Sequence, residues 1–236
     1  MDRIAVLVEE GADIIDIGAC STRPGSLPVG AEEEWRRLEP VLKVFRDNFQ
    51  NVTLSIDTYW ASVVQKAFAL VGPFIVNDIS AGEADPEMLP TVGRLGLKYV
   101  AMHMRGMPEN MQSLTDYNDV VEDVLEYFRN FSKKAEIHGI NDWILDPGFG
   151  FAKTLEQNYT LLNGLEKIKA GMCPRKVLVG VSRKSMIYRL LGTTPEESLP
   201  ATQALHMAAL ERGADILRVH DVAEAVHTVA LFKMLS

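Results

Sequence analysis

The sequence has little of several features that mark other classes of protein. Its 236 residues include two cysteines, Cys20 and Cys173, which form no CxxC pair, so neither a disulfide framework nor a zinc knuckle is expected. The net charge of −8 argues against nucleic acid as a partner, because phosphate backbones require a basic face. No apolar run approaches the ~20 residues that span a bilayer, and no signal-peptide hydrophobic region is present. We therefore expect a cytoplasmic protein that binds neither membranes nor nucleic acid.

Seven short apolar runs of β character are present, and each ends in polar residues. They begin near residues 12, 52, 74, 98, 143, 176 and 216. Segments with helical periodicity separate them; residues 33–47, for example, place apolar side chains at spacings of three and four. Alternating strands and helices predict a parallel α/β fold whose functional residues lie at the carboxyl ends of the strands.

The pattern predicts seven strands and eight helices, beginning with a short helix at residues 2–10. A closed (β/α)8 barrel needs eight strands, so we expect a barrel of the TIM type whose first strand is missing. A doubly wound open sheet is the rival interpretation, but it would carry a GxGxxG loop after its first strand, and none follows Gly18. No linker or break in composition interrupts the pattern, so residues 1–236 are predicted to form one domain.

The most specific motif is Asp146-Pro-Gly-Phe-Gly-Phe151, with Lys153 close behind it. A strand-end carboxylate followed by proline and two glycines provides acceptor atoms and lets a ligand approach the backbone. A turn capped by aspartate would explain Asp-Pro-Gly but not the aromatic residues and the lysine. The segment is not a Walker loop, because Ala152 precedes the lysine where that motif has glycine. The motif therefore predicts a ligand-binding loop.

Two later strand ends carry cationic side chains. Ser182-Arg-Lys-Ser185 follows the sixth run, although a solvated helix start would have the same composition. Arg218 and His220 alternate along the last run, so they face the same way and suit an anionic group. A salt-bridged strand end involving Asp221 is the alternative.

Single polar residues close other runs. Asp57 and Asn77 could each be a cap or a ligand, whereas Asp16 lies inside its strand and is expected to be a buried, hydrogen-bonded structural acid. The loop that begins with Ser21-Thr-Arg-Pro-Gly25 is rich in glycine and proline, which is typical of a mobile lid. Three histidines are expected on helix surfaces: His138, His206 and His227.

Together these strand ends resemble dihydropteroate synthases, enzymes of the folate pathway. The motifs occur in the family's order and span nearly the whole chain: Ser21–Gly25, Ser55–Thr58, Asn77–Ser80, Met102–Met104, Asp146–Phe151, Ser182–Ser185 and Arg218–Asp221. The resemblance implies a (β/α)8 barrel that joins 4-aminobenzoate to 6-hydroxymethyl-7,8-dihydropterin pyrophosphate. The products would be 7,8-dihydropteroate and pyrophosphate.

The resemblance also implies roles for individual residues. The catalytic residues that it implies are Asp57, Lys184 and Arg218. The pterin-binding residues are Asp57, Asn77, Ile79, Met102, Asp146, Phe151, Lys184 and Arg218. The residues implied for pyrophosphate and 4-aminobenzoate are Thr22, Arg23, Ser185 and His220. Magnesium is expected to accompany the pyrophosphate, and the family's homodimer is expected through the last two helices.

The sequence departs from the family in two places. The family begins with a strand and a loop reading like Asn-x-Thr-Pro-Asp-Ser-Phe, whose asparagine holds magnesium, and nothing here matches it; no metal ligand is therefore visible in this chain. Cys20 stands where the family often has glutamate.

Two alternatives stay open: a truncated pterin-binding protein without activity, and the pterin-binding methyltransferase domain of a corrinoid-dependent enzyme. The intact Ser-Thr-Arg-Pro and Ser-Arg-Lys-Ser motifs count against the second alternative. A metal-dependent amidohydrolase barrel would show His-x-His on its first strand, and the histidines present lack the right strand-end spacing.

Overall fold

The computed structural model describes residues 2–20, 29–106 and 110–235. Within these residues the chain forms seven strands: β1 Ile14–Gly18, β2 Thr53–Asp57, β3 Ile75–Asp78, β4 Lys98–Met102, β5 Trp143–Asp146, β6 Lys176–Val179 and β7 Ile216–Leu217. It also forms ten α-helices: α1 Asp2–Glu9, α2 Ala31–Asn48, α3 Ala61–Val71, α4 Met88–Leu95, α5 Val120–Ile137, α6 Leu155–Asn163, α7 Leu165–Gly171, α8 Ser185–Leu191, α9 Leu199–Glu211 and α10 Val222–Leu235.

The strands follow one another through a single sheet in chain order, from β1 to β7. The pairs β1–β2, β2–β3, β3–β4 and β6–β7 are parallel. Parallel neighbours need a crossover connection, and the helices between the strands provide it. The prediction of seven parallel strands alternating with helices is therefore confirmed.

The structure has more helices than the eight predicted, and one reason is Gly164. The segment predicted as one helix at 156–170 is divided into α6 and α7 at this glycine. A Cβ atom on Gly164 would lie 2.5 Å from Val121 Cγ2 on α5, so a larger residue could not pack there. In addition, two helices, α8 and α9, lie between β6 and β7.

The described residues fall into two compact units. The first comprises residues 2–20, 29–102 and 130–144, and the second comprises 103–106, 110–129 and 145–235. In the core of the first unit Tyr99 stacks on Phe131 at 5.8 Å, and Phe131 meets Trp143 edge-on at 4.8 Å. In the second unit Phe128 and Phe149 are fully buried. The prediction of a single domain stays a prediction.

None of the helices in the described ranges is both long enough and apolar enough to cross a membrane.

Candidate active site

In the first unit, strand register aligns the predicted ligands Asp57 and Asn77. Gly18 pairs with Asp57, and Asp57 pairs with Asn77, so the three residues lie level at the carboxyl ends of β1, β2 and β3. Residues that pair in a parallel sheet direct their side chains to the same face. A Cβ atom on Gly18 would lie 3.1 Å from Asp57 Cβ, so glycine leaves room for this carboxylate.

Asp16 lies inside β1 and accepts hydrogen bonds from side chains on β2 and β3. Ser55 Oγ donates to Asp16 Oδ1 at 2.7 Å, and Asn77 Nδ2 donates to Asp16 Oδ2 at 3.0 Å. The prediction of a hydrogen-bonded acid is confirmed, although Asp16 is partly rather than fully buried.

The other predicted ligands in the first unit are apolar. Ile79 and Met102 are both buried. Ile79 lies just beyond the carboxyl end of β3, and Met102 is the last residue of β4.

Asp78 follows Asn77 but makes different contacts. Its carboxylate accepts hydrogen bonds from Ser80 N and Ser80 Oγ, both at 2.7 Å, from Gly82 N at 2.9 Å and from Tyr99 Oη at 2.6 Å. Burial nevertheless raises the pKa of Asp78. Three of these bonds hold the turn after β3 and the fourth joins it to Tyr99 on β4, so Asp78 is a structural acid.

In the second unit, the Asp146–Phe151 motif forms a tight loop. Gly148 N donates to Asp146 Oδ1 at 2.8 Å, and Phe151 N donates to Gly148 O at 3.1 Å. Gly148 has φ +71°, and a Cβ atom there would lie 2.0 Å from His103 O. Only glycine fits this position, which explains why the motif requires it.

Asp146 is a buried acid near several cations. Burial is the main influence on its pKa and raises it, whereas Lys184, the Gly148 N–H, Arg218 and Lys153 act in the opposite direction. Burial likewise lowers the pKa of Lys184 to about 8; Asp146 opposes this change and Arg218 adds to it. The structure thus brings together Asp146, Lys184 and Arg218, as predicted.

Lys184 also contacts the glycine-rich loop. Its Nζ donates to Phe149 O and lies 4.9 Å from the centre of the Phe151 ring, which places an ammonium over an aromatic face. Ser185, the next residue, is the first residue of α8. We call Asp146, Phe151, Lys184 and Arg218 the Asp146 cluster.

The end of β7 carries both an ion pair and a histidine. Arg183 donates to Asp221 through Nε at 2.8 Å and through Nη2 at 2.5 Å, so the salt-bridged alternative applies to Arg183. His220 Nδ1 lies 3.0 Å from Ser182 Oγ, which also accepts from His220 N at 3.2 Å. Ser182 therefore fixes the orientation of His220.

Lys153 is a functional candidate to which the sequence assigned no role. It is 4% exposed, and its Nζ donates to Gly148 O and Phe151 O and lies 3.0 Å from His103 Nδ1. Burial lowers the pKa of Lys153 to about 7 and lowers the pKa of His103 well below its usual value. The available sequence signal is the position of Lys153, two residues after the Asp146–Phe151 motif.

The prediction of a surface position for His206 was wrong. This side chain is fully buried, with Nδ1 3.2 Å from Gln203 Oε1, and burial lowers its pKa to about 4. The helix α9 is rich in small apolar residues, so its sequence gives no clear polar face from which exposure could be judged. His227 is exposed as predicted, and His138 is partly exposed.

Two predicted residues, Thr22 and Arg23, lie outside the described residues, as does most of the predicted lid. Within the described ranges, no group of three or more His, Cys, Asp or Glu side chains could hold a metal ion. None of these residues is therefore assigned to magnesium.

Comparison with known proteins identifies the family. Residues 1–220 match the family described as "Pterin binding enzyme". The dihydropteroate synthase of Escherichia coli K12 is 41% identical over 226 residues, which are 95% of this chain and 78% of that protein. The folic acid synthesis protein fol1 of Pneumocystis carinii is also 41% identical; the match covers 92% of this chain but only 30% of that protein.

Solved structures agree with the sequence relatives. The Yersinia pestis dihydropteroate synthase in complex with a sulfonamide drug has a TM-score of 0.94 at 36% identity, covering 99% of this chain and 84% of that one. The Xanthomonas albilineans enzyme with 4-aminobenzoic acid has a TM-score of 0.91 at 37% identity, covering 99% and 83%. These matches confirm the predicted α/β fold of the TIM type. The chain therefore belongs to the dihydropteroate synthase family of pterin-binding enzymes.

Proposed function

We propose that this chain condenses 4-aminobenzoate with 6-hydroxymethyl-7,8-dihydropterin pyrophosphate, giving 7,8-dihydropteroate and pyrophosphate. The observation that carries the proposal is the Asp146 cluster, in which a buried carboxylate lies near two cations. Of its two oxygens, Oδ1 alone accepts a hydrogen bond from the described residues. A carboxylate accepts about four hydrogen bonds, so Asp146 has capacity left for a ligand.

The chemistry of a pterin matches this cluster. Its amino-pyrimidine edge carries parallel N–H donors, which one carboxylate can accept together. Lys184 would donate to the pterin carbonyl and ring nitrogen, Phe151 would form an apolar wall, and Arg218 would place its guanidinium plane over the ring.

For the first unit, the family assigns Asp57 and Asn77 to the pterin, with Ile79 and Met102 as apolar contacts. The level register of Asp57 and Asn77 supports this assignment, because both side chains lie at the carboxyl end of the sheet where parallel α/β enzymes bind ligands. These roles are part of the proposal.

The proposed reaction begins with departure of pyrophosphate. The C–O bond to the exocyclic methylene breaks, the electron pair leaves with pyrophosphate, and the electron-rich dihydropterin stabilises the resulting cation. Asp57 lowers the energy of this cation by placing negative charge near it, an effect that is strong where water is excluded. The amine of 4-aminobenzoate then forms the C–N bond and releases a proton.

The remaining roles are assigned by family resemblance alone. Thr22, Arg23 and His220 would hold the pyrophosphate, and Ser185 would border 4-aminobenzoate. Magnesium would arrive with the pyrophosphate, neutralising its charge. A cytoplasmic location likewise stays a prediction.

The direct test is an assay for pyrophosphate release that depends on added 4-aminobenzoate. We expect release by the wild-type chain and at least a tenfold loss in the Lys184→Ala variant. Calorimetry with the dihydropterin pyrophosphate, run in parallel, separates the alternatives. Binding without release would indicate a pterin-binding protein without activity, and absence of both would contradict the proposal.

We also propose a homodimer, for which exposed apolar side chains give the support. Leu231, Met234 and Leu235 of α10 and Leu190 and Leu191 of α8 are all more than half exposed. Leu231, Met234 and Leu235 are spaced by three and four residues and so lie on one face of α10, one of the two helices predicted to form the dimer; an exposed apolar face is typical of an interface. Sedimentation analysis should find a dimer in the wild-type chain and a monomer after Leu231→Glu with Met234→Glu. A monomeric wild-type chain at assay concentration would contradict the dimer.

A further inference from the structure

The contact between Asp16 and Asn77 determines which way the side-chain amide of Asn77 is turned. Asp16 Oδ2 accepts from Asn77 Nδ2 at 3.0 Å, while Asp16 Oδ1 accepts from Ser55 Oγ at 2.7 Å. A carboxylate accepts hydrogen bonds and donates none, so only the nitrogen of the amide can face Asp16. The carbonyl oxygen Oδ1 of Asn77 is consequently turned away from Asp16.

The surroundings of Asn77 hold its side-chain amide in this orientation. Its side chain is buried, its backbone oxygen accepts from Thr58 N at 3.0 Å, and its strand pairs with Asp57 on β2. The two ends of an amide have nearly the same size, so packing alone would not distinguish them. Asp16 makes the distinction electrostatically, through a charge-assisted hydrogen bond.

We propose that Asp16 is a positioning residue that makes Asn77 present its carbonyl oxygen to an N–H donor of the pterin. This inference rests on the proposed function, because it requires that Asn77 contacts the pterin. It adds a statement about specificity: the ligand must carry a donor where it meets Asn77 Oδ1. An analogue with an acceptor at that position would leave two acceptors facing each other and would bind more weakly.

Three nearly isosteric variants test the proposal. In Asn77→Asp, a carboxylate oxygen replaces the donor and faces the carboxylate of Asp16, and like charges at this distance repel. In the double variant Asp16→Asn with Asn77→Asp, the hydrogen bond returns with its direction reversed, because Asn at 16 donates to Asp at 77 and still accepts from Ser55. In Asp16→Asn alone, a neutral acceptor remains for Asn77.

The readout is calorimetric affinity for 6-hydroxymethyl-7,8-dihydropterin pyrophosphate at pH 8. We expect Asn77→Asp to bind at least tenfold more weakly than wild type, the double variant to recover at least threefold of that loss, and Asp16→Asn alone to stay within about fivefold of wild type. Ser55→Ala removes the other hydrogen bond to Asp16 and is the matched control, expected within twofold of wild type. A double variant no better than Asn77→Asp would overturn the proposal.

The pH profile provides a readout that a purely structural role would not change. Lowering the pH should reduce the defect of Asn77→Asp, since one proton shared by the two carboxyl groups restores a donor between them. The double variant should show no such recovery. A double variant that recovers at lower pH in the same way as Asn77→Asp would contradict the proposal.

A second variant keeps the proposal testable if Asn77→Asp does not fold. Asp16→Ala leaves Asn77 intact but removes its acceptor, and we expect at least fivefold weaker binding; wild-type affinity in this variant would overturn the inference. Calorimetric titration of the wild-type chain with the dihydropterin pyrophosphate distinguishes failure of the proposed function from failure of the role proposed for Asp16. If the wild-type chain binds no pterin, the proposed function fails and this inference falls with it, whereas wild-type binding without rescue refutes the role of Asp16 alone.

Discussion

Asp78 and Asp146 are both buried acids at the carboxyl ends of strands, yet their hydrogen bonds differ. Asp78 accepts four hydrogen bonds from Ser80, Gly82 and Tyr99. Asp146 accepts one from the residues that the structure describes, and it lies near Lys184 and Arg218. Burial raises the pKa of both acids.

The difference in hydrogen bonding indicates a structural role for Asp78 and a ligand-binding role for Asp146. A carboxylate accepts about four hydrogen bonds, so Asp78 has used its capacity within the protein and serves to hold a turn. Asp146 is buried at a similar cost but leaves most of its capacity unused, and the nearby cations favour its charged form. Such an arrangement is unfavourable for stability alone and is expected where a ligand completes the hydrogen bonds.

The largest effect is expected from Gly148, whose N–H donates to Asp146. Gly148→Ala would place a Cβ atom 2.0 Å from His103 O, so we expect a loss of about 4 kcal/mol or more in the free energy of unfolding. Gly192→Ala is the matched control: its φ is +63°, and no described atom lies within 4 Å of the added Cβ, so about 1–2 kcal/mol is expected. Urea denaturation measures both; equal losses would contradict the steric argument.

The second-largest effect is the difference in stability between the Asp78→Asn and Asp146→Asn variants. Asp78→Asn places an NH2 group against buried donors, so we expect a loss of about 2–4 kcal/mol in urea denaturation. Asp146→Asn should cost less at pH 7. Replacing the carboxylate removes the cost of burying a charge, which raises the pKa of Asp146, but it also removes the negative charge beside the buried Lys184. A larger loss of unfolding free energy in Asp146→Asn than in Asp78→Asn would contradict the distinction between the two acids.

The smallest effect concerns the alkaline pH dependence of Lys184. Its pKa is lowered to about 8, so the ammonium is present below that pH and is lost as the pH rises through it. Affinity for the dihydropterin pyrophosphate should therefore fall about three- to tenfold between pH 7.5 and 9.5. Lys184→Arg stays charged, and its affinity, although lower, should be flat over this range. A decline that persists in Lys184→Arg would assign the titration to another group.

The sequence predicted what depends on local pattern. The strands β4, β5, β6 and β7 begin where the apolar runs begin, at residues 98, 143, 176 and 216. The Asp146 loop was predicted because proline and glycine identify a turn and the aromatic residues beside it require another explanation.

Contacts between residues far apart in the sequence could not be predicted from local sequence pattern. The requirement for a small residue at Gly164 depends on Val121 of α5, and the pairing of Asp16 with Asn77 depends on the register of three strands. The burial of Lys153 and His206 also follows from packing, since both residue types are usually exposed or only partly buried.

The most direct test of the account is the affinity of the Asp146→Asn variant for 6-hydroxymethyl-7,8-dihydropterin pyrophosphate, measured by calorimetry alongside wild type. The lost charged hydrogen bonds correspond to about 1–3 kcal/mol, so we predict binding several-fold to a hundredfold weaker, with a smaller loss in the free energy of unfolding than in Asp78→Asn. Equal affinity in the two proteins would contradict the claim that Asp146 holds the pterin.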